Sequence, residues 1–311
     1  MREFLKNAAN GNGLERIREW EAKSWINVEC PDREDKEYIT DTLQVPFSFY
    51  GDIEDVDERP RIEVEDGWFF VLLRIPYKTG DPDQPFTTVP LGVIFNDEVM
   101  LSVCFFKTDL IQDFIEYSRR KSIIIENNFD LLLKLLLSSS IWFLKYLKQI
   151  NLQIKNAESK LEKSIKNEDL QTLLKIEKCL VYFMTSLKAN DILLHKLKNL
   201  KHKKVDFDLD LIDDVEVELK QAQEISHIYS DILSGMMDAY ASVISNNLNV
   251  VMKRLTSISI ILMIPTLIAS LYGMNVPNSF ESSPLGFWFI LLFSFLLSTS
   301  GVLLFKSRHW L

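Results

Sequence analysis

The sequence predicts an α/β domain at the N-terminal end, a long-helix stalk, and two transmembrane helices at the C-terminal end. Three observations carry that reading. Leu255–Asn275 and Pro284–Phe305 are uncharged runs of 21 and 22 residues, long enough at about 1.5 Å per residue to cross a hydrocarbon core of ~30 Å. Arg61–Glu65 and Trp68–Ile75 flank Asp66-Gly67, the short signal of a β-hairpin. From Asn128 to Asn275 the apolar spacing is helical, with few breakers.

Taken in order, residues 1–126 read as the α/β domain. Leu14–Ala22 is read as a short helix, Ser24–Val28 as a strand, and Asp32–Leu43 as a helix started by Pro31-Asp32. After the first hairpin, Gly80–Asp83 is a loop. A second hairpin runs Thr88–Phe95, a turn at Asn96-Asp97, and Val99–Phe106. Lys107-Thr108-Asp109 then caps a helix from about Leu110 to Ile125. No phosphate loop, GxSxG or dinucleotide fingerprint occurs, so no motif supports catalysis and the chain is expected not to be an enzyme.

Residues 127–205 read as a helical hairpin, Phe129–Lys166 and Leu170–Lys201, turning at Asn167-Glu168-Asp169. The leucine-rich start of the first arm is broken by Lys134, which predicts a helix buried against the α/β domain rather than a third span. The lysines that end the second arm, among them Lys196 and Lys198, read as a solvated, dipole-complementing cluster. Residues 206–254 open with seven acids between Asp206 and Glu218, suited to a helix N-terminus. One helix can run from Leu209 to Asn275, interrupted only by Gly235 and Pro265. The stalk therefore continues into the first span.

Composition bounds the function. The chain has 311 residues and a net charge of −9, and its mean hydropathy of +0.02 averages a charged part with an apolar tail. Acidity argues against nucleic acid and towards cations. Cys30, Cys104 and Cys179 form no CxxC pair and read as packing residues of a reducing compartment. His195, His202, His227 and His309 lack metal-ligand spacing. No charged-then-apolar signal segment opens the chain, so the first span is expected to direct insertion. Lys253-Arg254 precede the first span (255–275) and Lys306, Arg308 and His309 follow the second (284–305), with no Lys or Arg in the connection 276–283. The positive-inside rule then places both termini, including the basic tail 306–311, in the cytoplasm of a multi-pass membrane protein.

The first span carries a polar seam. Asn249, Met252, Thr256, Ser259, Met263, Thr266 and Ser270 recur at helical 3–4 spacing in a segment otherwise rich in Ile, Leu and Val. Hydroxyls in lipid also bond back to their own helix carbonyls or allow close helix packing. Seven in register favour the lining of a polar path, and two spans per chain require a ring of subunits to enclose one. Mg²⁺ dehydrates reluctantly, and a lining of hydroxyls and amides without carboxylates holds a hydrated ion weakly enough to release it. Met252 and Met263 suit dewetting constrictions, and packing is the commoner role of Met.

At Tyr272-Gly273-Met274-Asn275, ending the first of two spans before a short loop, the chain resembles the CorA family of magnesium and cobalt transporters. The resemblance extends through Ser234–Met237 and Asn246–Met252 and covers the layout of the whole chain. It implies Asn275, with Gly273 and Met274, as the selectivity element at the outer mouth. It implies Leu255 as a pore position beside Asn249, Met252, Met263, Thr266 and Ser270. A funnel-shaped homopentamer in the plasma (inner) membrane follows from it, passing hydrated Mg²⁺, with Co²⁺ or Ni²⁺ as further cargo, along the membrane potential. It also implies regulatory Mg²⁺ between subunits, with Asp214 as the stalk acid and the acidic loop after Tyr77 as a candidate region for its partner. The loop departs from the family's Met-Pro-Glu run: Glu281 is its one charge, placed to draw cations or simply exposed. Related zinc transporters share the motif, so proton-coupled Zn²⁺ transport on the same scaffold stays open. A membrane-anchored cytoplasmic scaffold is the third reading, which needs neither seam nor mouth Asn.

Overall fold

A computed structural model describes residues 2–9, 11, 13–163, 167–200, 208–275, 285–308 and 310. Contacts divide the chain into two units, Met1–Gly235 and Met236–Leu311.

The first unit is built on a seven-stranded mixed sheet in the order β2-β1-β3-β7-β6-β5-β4. The strands are β1 Arg2–Asn7, β2 Leu14–Ile17, β3 Trp25–Glu29, β4 Arg61–Glu65, β5 Trp68–Lys78, β6 Phe86–Phe95 and β7 Met100–Cys104. Only β3 and β7 pair in parallel; every other neighbour is antiparallel. The β4–β5 turn has Asp66 at φ 51° and Gly67 at φ 82°, the two left-handed residues that a two-residue hairpin requires. The β6–β7 turn is closed by Asn96, whose Oδ1 accepts the N–H groups of Glu98 and Val99.

The segment expected to be a helix over Leu14–Ala22 is instead β2, which pairs with β1 from Phe4↔Ile17 to Asn7↔Leu14. Leu14 is buried, Glu15 and Arg16 are exposed, and Ile17 is half-buried. A four-residue edge strand shows too little alternation to outweigh local helix propensity, and its tertiary partner decides. Helix α1, Arg33–Glu37, starts as expected at Asp32, whose side chain accepts the Asp35 N–H at 2.9 Å while Asp35 accepts the Asp32 N–H. It runs into a π-helical turn, Tyr38–Thr42.

Helix α2, Phe47–Glu54, covers one face of the sheet with Phe49, Tyr50 and Ile53. Phe49 stacks on Phe70 of β5 at 4.5 Å. Close packing here demands Gly92 on β6, where a Cβ would lie 2.2 Å from Ile53 Cδ1. Helix α3 is Asp109–Lys121. Helices α4, Asn128–Lys163, and α5, Asn167–Leu200, pack on the other face over β5 and β6. Leu131–Leu133, Leu135 and Leu136 are fully buried there, so the leucine run serves the sheet. Phe143 and Phe183 join α4 to α5 edge to face at 5.0 Å. Asn167–Asp169, expected as a turn, forms the first turn of α5 instead; acids favour that position because they face the positive helix end.

Cys104 and Cys179 are buried as expected, and burial pushes the Cys104 thiol up to about 12. Cys30 is exposed at φ 48°, just beyond β3, and is not a packing residue.

Arg74 on β5 is a buried cation. Its guanidinium donates to Thr88 O at 2.6 Å, Thr88 Oγ1, Val56 O and Glu58 O. Beyond Leu72, β5 has lost its β4 neighbour, and the Asn190 side chain of α5 takes that place by bonding both backbone groups of Arg74.

Helix α6 runs unbroken from Leu209 to Tyr272, through Gly235 and Pro265. Helix α7 is Gly286–Ser307. Each carries an apolar window long enough to cross a membrane, with mean hydropathy 1.9 and 2.1, and almost none of either window is buried.

Candidate functional site

In the second unit α6 presents two opposed faces. Towards α7 it turns Ser257, fully buried, and the half-buried Ile261, Ile264, Pro265, Ile268 and Tyr272. The matching face of α7 is Gly286, Ile290, Ser294, Ser298, Gly301 and Phe305. Its small residues at 3–4 spacing allow close approach: a Cβ on Gly301 would meet Ile264 Cδ1 at 3.6 Å and Ile261 Cγ1 at 3.8 Å. The sequence reading did not single out this seam, although the Gly and Ser spacing on α7 is its visible signal.

The polar stripe lies on the other side of α6. At about 100° per residue, Asn249, Met252, Thr256, Ser259, Met263, Thr266 and Ser270 centre roughly 180° from the α7-facing residues. All seven are exposed within the chain. Leu255 is exposed too, at the margin of the stripe. Ser259 Oγ donates to Leu255 O at 2.9 Å and Thr266 Oγ1 to Leu262 O at 3.2 Å. These local bonds decide what the hydroxyls offer. Each proton is spent on the helix, and each oxygen turns its lone pairs outward as an acceptor. Water bound to a divalent cation presents O–H donors, so such a face suits a hydrated ion better than a bare one.

The stripe ends at the motif. Gly273 N–H donates to Ala269 O at 2.9 Å, and Met274 N–H reaches Leu271 O only at 3.5 Å. The helix ends here, with its carbonyls at the negative end of the helix dipole. Met274 and Asn275 are exposed just past this terminus. A Cβ at Gly273 would lie 3.3 Å from Ala269 O, tight enough to disturb that ending. Glu281 and the expected loop 276–283 lie outside the described residues.

In the first unit Asp214 is exposed on the second turn of α6. Its neighbours are engaged: Lys198 of α5 bonds Glu216 and lies 3.5 Å from Asp213. Lys198 is thus an interhelical partner and not part of a solvated cluster. Hydrogen bonds from Lys198 and Lys220 hold the Glu216 carboxyl down at about 2. In the loop after Tyr77, Asp83 is bonded by Lys175 of α5 at 2.6 Å, which lowers its pKa. Among the described residues no group of three or more His, Cys, Asp or Glu, with or without Asp214, converges to hold a metal ion.

Residues 20–307 match the family described as CorA-like Mg²⁺ transporter protein. The chain belongs to that family. It is 24% identical over 294 residues to the cobalt/magnesium transport protein CorA of Methanocaldococcus jannaschii, covering 92% of this chain and 91% of the relative. To the cobalt/magnesium transport protein CorA of Thermotoga maritima it is 26% identical over 311 residues, covering 95% and 85%. Its fold matches the complete structure of the CorA magnesium transporter from Methanocaldococcus jannaschii with a TM-score of 0.84, at 22% identity over 100% of this chain and 99% of that one. The ZntB cytoplasmic domain from Vibrio parahaemolyticus is similar in fold, with a TM-score of 0.62 at 11% identity over 78% of this chain and 98% of that one.

Proposed function

We propose that this CorA-family chain is one subunit of a divalent-cation channel that passes hydrated Mg²⁺, and Co²⁺ or Ni²⁺ with it, along the membrane potential. It is a transporter rather than an enzyme. The observation that carries the reading is the opposition of the two faces of α6: one packs on α7, and the other holds an exposed polar stripe leading to Asn275. An anchor needs only the first face. A ring of copies, a homopentamer on family grounds, turns the stripes inward as one path of acceptor oxygens. Asn275 at its outer end, beside the C-terminal carbonyls of α6, takes the ion by its water shell. The termini are cytoplasmic, following the Lys and Arg at the basic ends of both spans.

Gating follows from Asp214. Exposed on α6 and left out of the Lys198 clasp, it is available to an ion shared with a neighbouring subunit. High internal Mg²⁺ occupies such shared sites and favours the closed ring; when they empty, carboxylates repel and the stalks relax. The ion shifts the equilibrium only by binding the closed state more tightly.

The test is Mg²⁺ influx into liposomes carrying the purified chain, wild type beside Asn275→Ala. Influx that needs Asn275 and no proton gradient is the expected result. Zn²⁺ entry that requires a proton gradient would establish the proton-coupled alternative instead. No divalent flux from an inserted oligomer would leave the spans as an anchor.

A further inference from the structure

The charge of the second unit is lopsided. Its described residues carry four cations, Lys253 and Arg254 on α6 and Lys306 and Arg308 at the end of α7, against one carboxylate, Asp238. Asp238 stands 15 residues before Lys253 on α6, about 22 Å along the axis. Among the described residues none of the four cations has an ion-pair partner, in a chain whose net charge is −9. In the first unit several cations, among them Arg61, Lys134, Lys145, Lys175 and Lys198, are instead paired with acids.

Placement brings the four together. Gly301 lies against Ile261 and Ile264, and α7 returns antiparallel to α6. Arg254 is seven residues before Ile261 and Arg308 seven residues after Gly301, so both stand about 10 Å beyond that contact at the same end. Ser257 is fully buried between them and the packed seam. The chain then folds back: Trp310 N–H donates to Phe305 O at 3.0 Å, and its ring stacks on Phe305 at 5.8 Å with an interplanar angle of 16°. An exposed Trp just past the end of an apolar helix marks the depth of the headgroups.

We infer that this basic end holds the phosphate of an anionic phospholipid, gripped by Lys253 and Arg254 on one helix and Lys306 and Arg308 on the other. Trp310 and Phe305 lie along the start of its acyl chains. The inference rests on the membrane-spanning reading above. It commits to a lipid for two reasons. The second unit of another copy of this chain brings the same four cations to the same level, with Asp238 as its one described carboxylate about 22 Å away, so that unit supplies no counter-charge here. A free phosphate supplies the charge but leaves the apolar Phe305–Trp310 surface uncovered. The lipid answers both.

The experiment is native mass spectrometry of the full chain in detergent, titrated with dioleoyl-phosphatidylglycerol or dioleoyl-phosphatidylcholine. Wild type is compared with the pairs Lys253→Gln/Arg254→Gln and Lys306→Gln/Arg308→Gln, and with Trp310→Ala. Binding of the anionic lipid is expected to exceed that of the zwitterionic one and to weaken about fivefold per charge removed. Trp310→Ala should weaken both lipids. Equal binding of the two lipids by wild type, or equal retention by both charge-removed variants, overturns the proposal. So does displacement of the lipid by inorganic phosphate at matching concentration, which reveals a free-anion site. Because bound lipid is counted directly, the result is independent of whether the chain conducts ions.

Discussion

Asn190 of α5 closes the backbone of Arg74 on β5 with both ends of its amide: Oδ1 accepts the Arg74 N–H at 3.0 Å and Nδ2 donates to the Arg74 carbonyl at 2.7 Å. A side chain does here what a strand does elsewhere in the sheet, since β4 stops opposite Leu72. On its other side Arg74 faces Pro90, which has no N–H to give. The N–H depends on Asn190, and the carbonyl on Asn190 together with a longer, 3.5 Å bond from Ser139 Oγ of α4. The guanidinium of the same residue holds the carbonyls of Val56 and Glu58 before β4, so one residue ties loop, sheet and helix together.

Asn190→Leu is therefore expected to cost far more than a surface change. It leaves the buried Arg74 N–H unpaired, at ~1–3 kcal/mol, and the carbonyl with only the long Ser139 bond. Thermal melting of the full chain measures the loss. Asn190→Asp, which keeps one acceptor, should fall between wild type and Leu; equal melting of all three would show that water replaces the amide.

Gly92 predicts a second core effect. A Cβ added there meets Ile53 Cδ1 at 2.2 Å and Cγ1 at 2.5 Å, so Gly92→Ala is expected to destabilise by ~1–3 kcal/mol through overpacking. Ile53→Ala removes both clashing atoms. The double variant should lose less than the sum of the single losses, as a mutant cycle by chemical denaturation will show. Strict additivity would mean that α2 shifts freely away from β6.

The α/β class, both hairpins and the two spans were legible because their signals are local: Asp66-Gly67, Asn96, and uncharged runs longer than any soluble core helix needs. Strand β2 was not, since Leu14–Ile17 becomes a strand only through its pairing with β1. Nor was α2, whose eight residues are apolar on more than one side: Phe47 is exposed while Phe49, Tyr50 and Ile53 are buried. The stripe on α6 was readable from spacing, yet its opposition to a seam of small residues on α7 required knowing which face α7 covers. The role of Lys198 was hidden in the same way, because Glu216 reaches it from a different helix.

The Lys198–Glu216–Lys220 clasp predicts an acid response. Glu216 is held at about 2 in the folded chain against an ordinary 4.5. A depressed carboxyl stabilises the fold above its unfolded value, and that contribution is lost as the pH falls from about 4.5 towards 2. The clasp is partly solvated, so its worth is ~0.5–1 kcal/mol. Glu216→Gln should therefore melt below wild type near neutral pH, with the difference closing through that acid window. A constant difference would assign the effect to packing.

Asp214 offers the contrasting case, an acid on the same helix outside the clasp. Its removal is expected to leave melting within ~0.5 kcal/mol of wild type. If Asp214 binds regulatory Mg²⁺ as proposed, Mg²⁺ should protect the first unit against protease in wild type, and that protection should weaken in Asp214→Ala and persist in Asp210→Ala. Unchanged protection in Asp214→Ala removes it from the regulatory role.

The two faces of α6 predict opposite consequences for similar changes. On the stripe, Ser259→Leu or Thr266→Leu replaces an outward acceptor oxygen with an apolar branch. Neither position faces α7, so the chain's own fold should be preserved while Mg²⁺ flux in liposomes falls by tenfold or more, about 1.4 kcal/mol or above in barrier terms. On the seam, Gly301→Leu drives side-chain atoms into Ile261 and Ile264, which a Cβ alone would meet at 3.8 and 3.6 Å. That variant should lose thermal stability and separate the helices before any effect on conduction can be assigned. The ratio of flux to folded protein therefore discriminates: it falls for the stripe variants and holds for the seam variant among molecules that remain folded. If Ser259→Leu and Thr266→Leu conduct normally, the ion does not travel along this face, and the polar spacing serves helix packing alone.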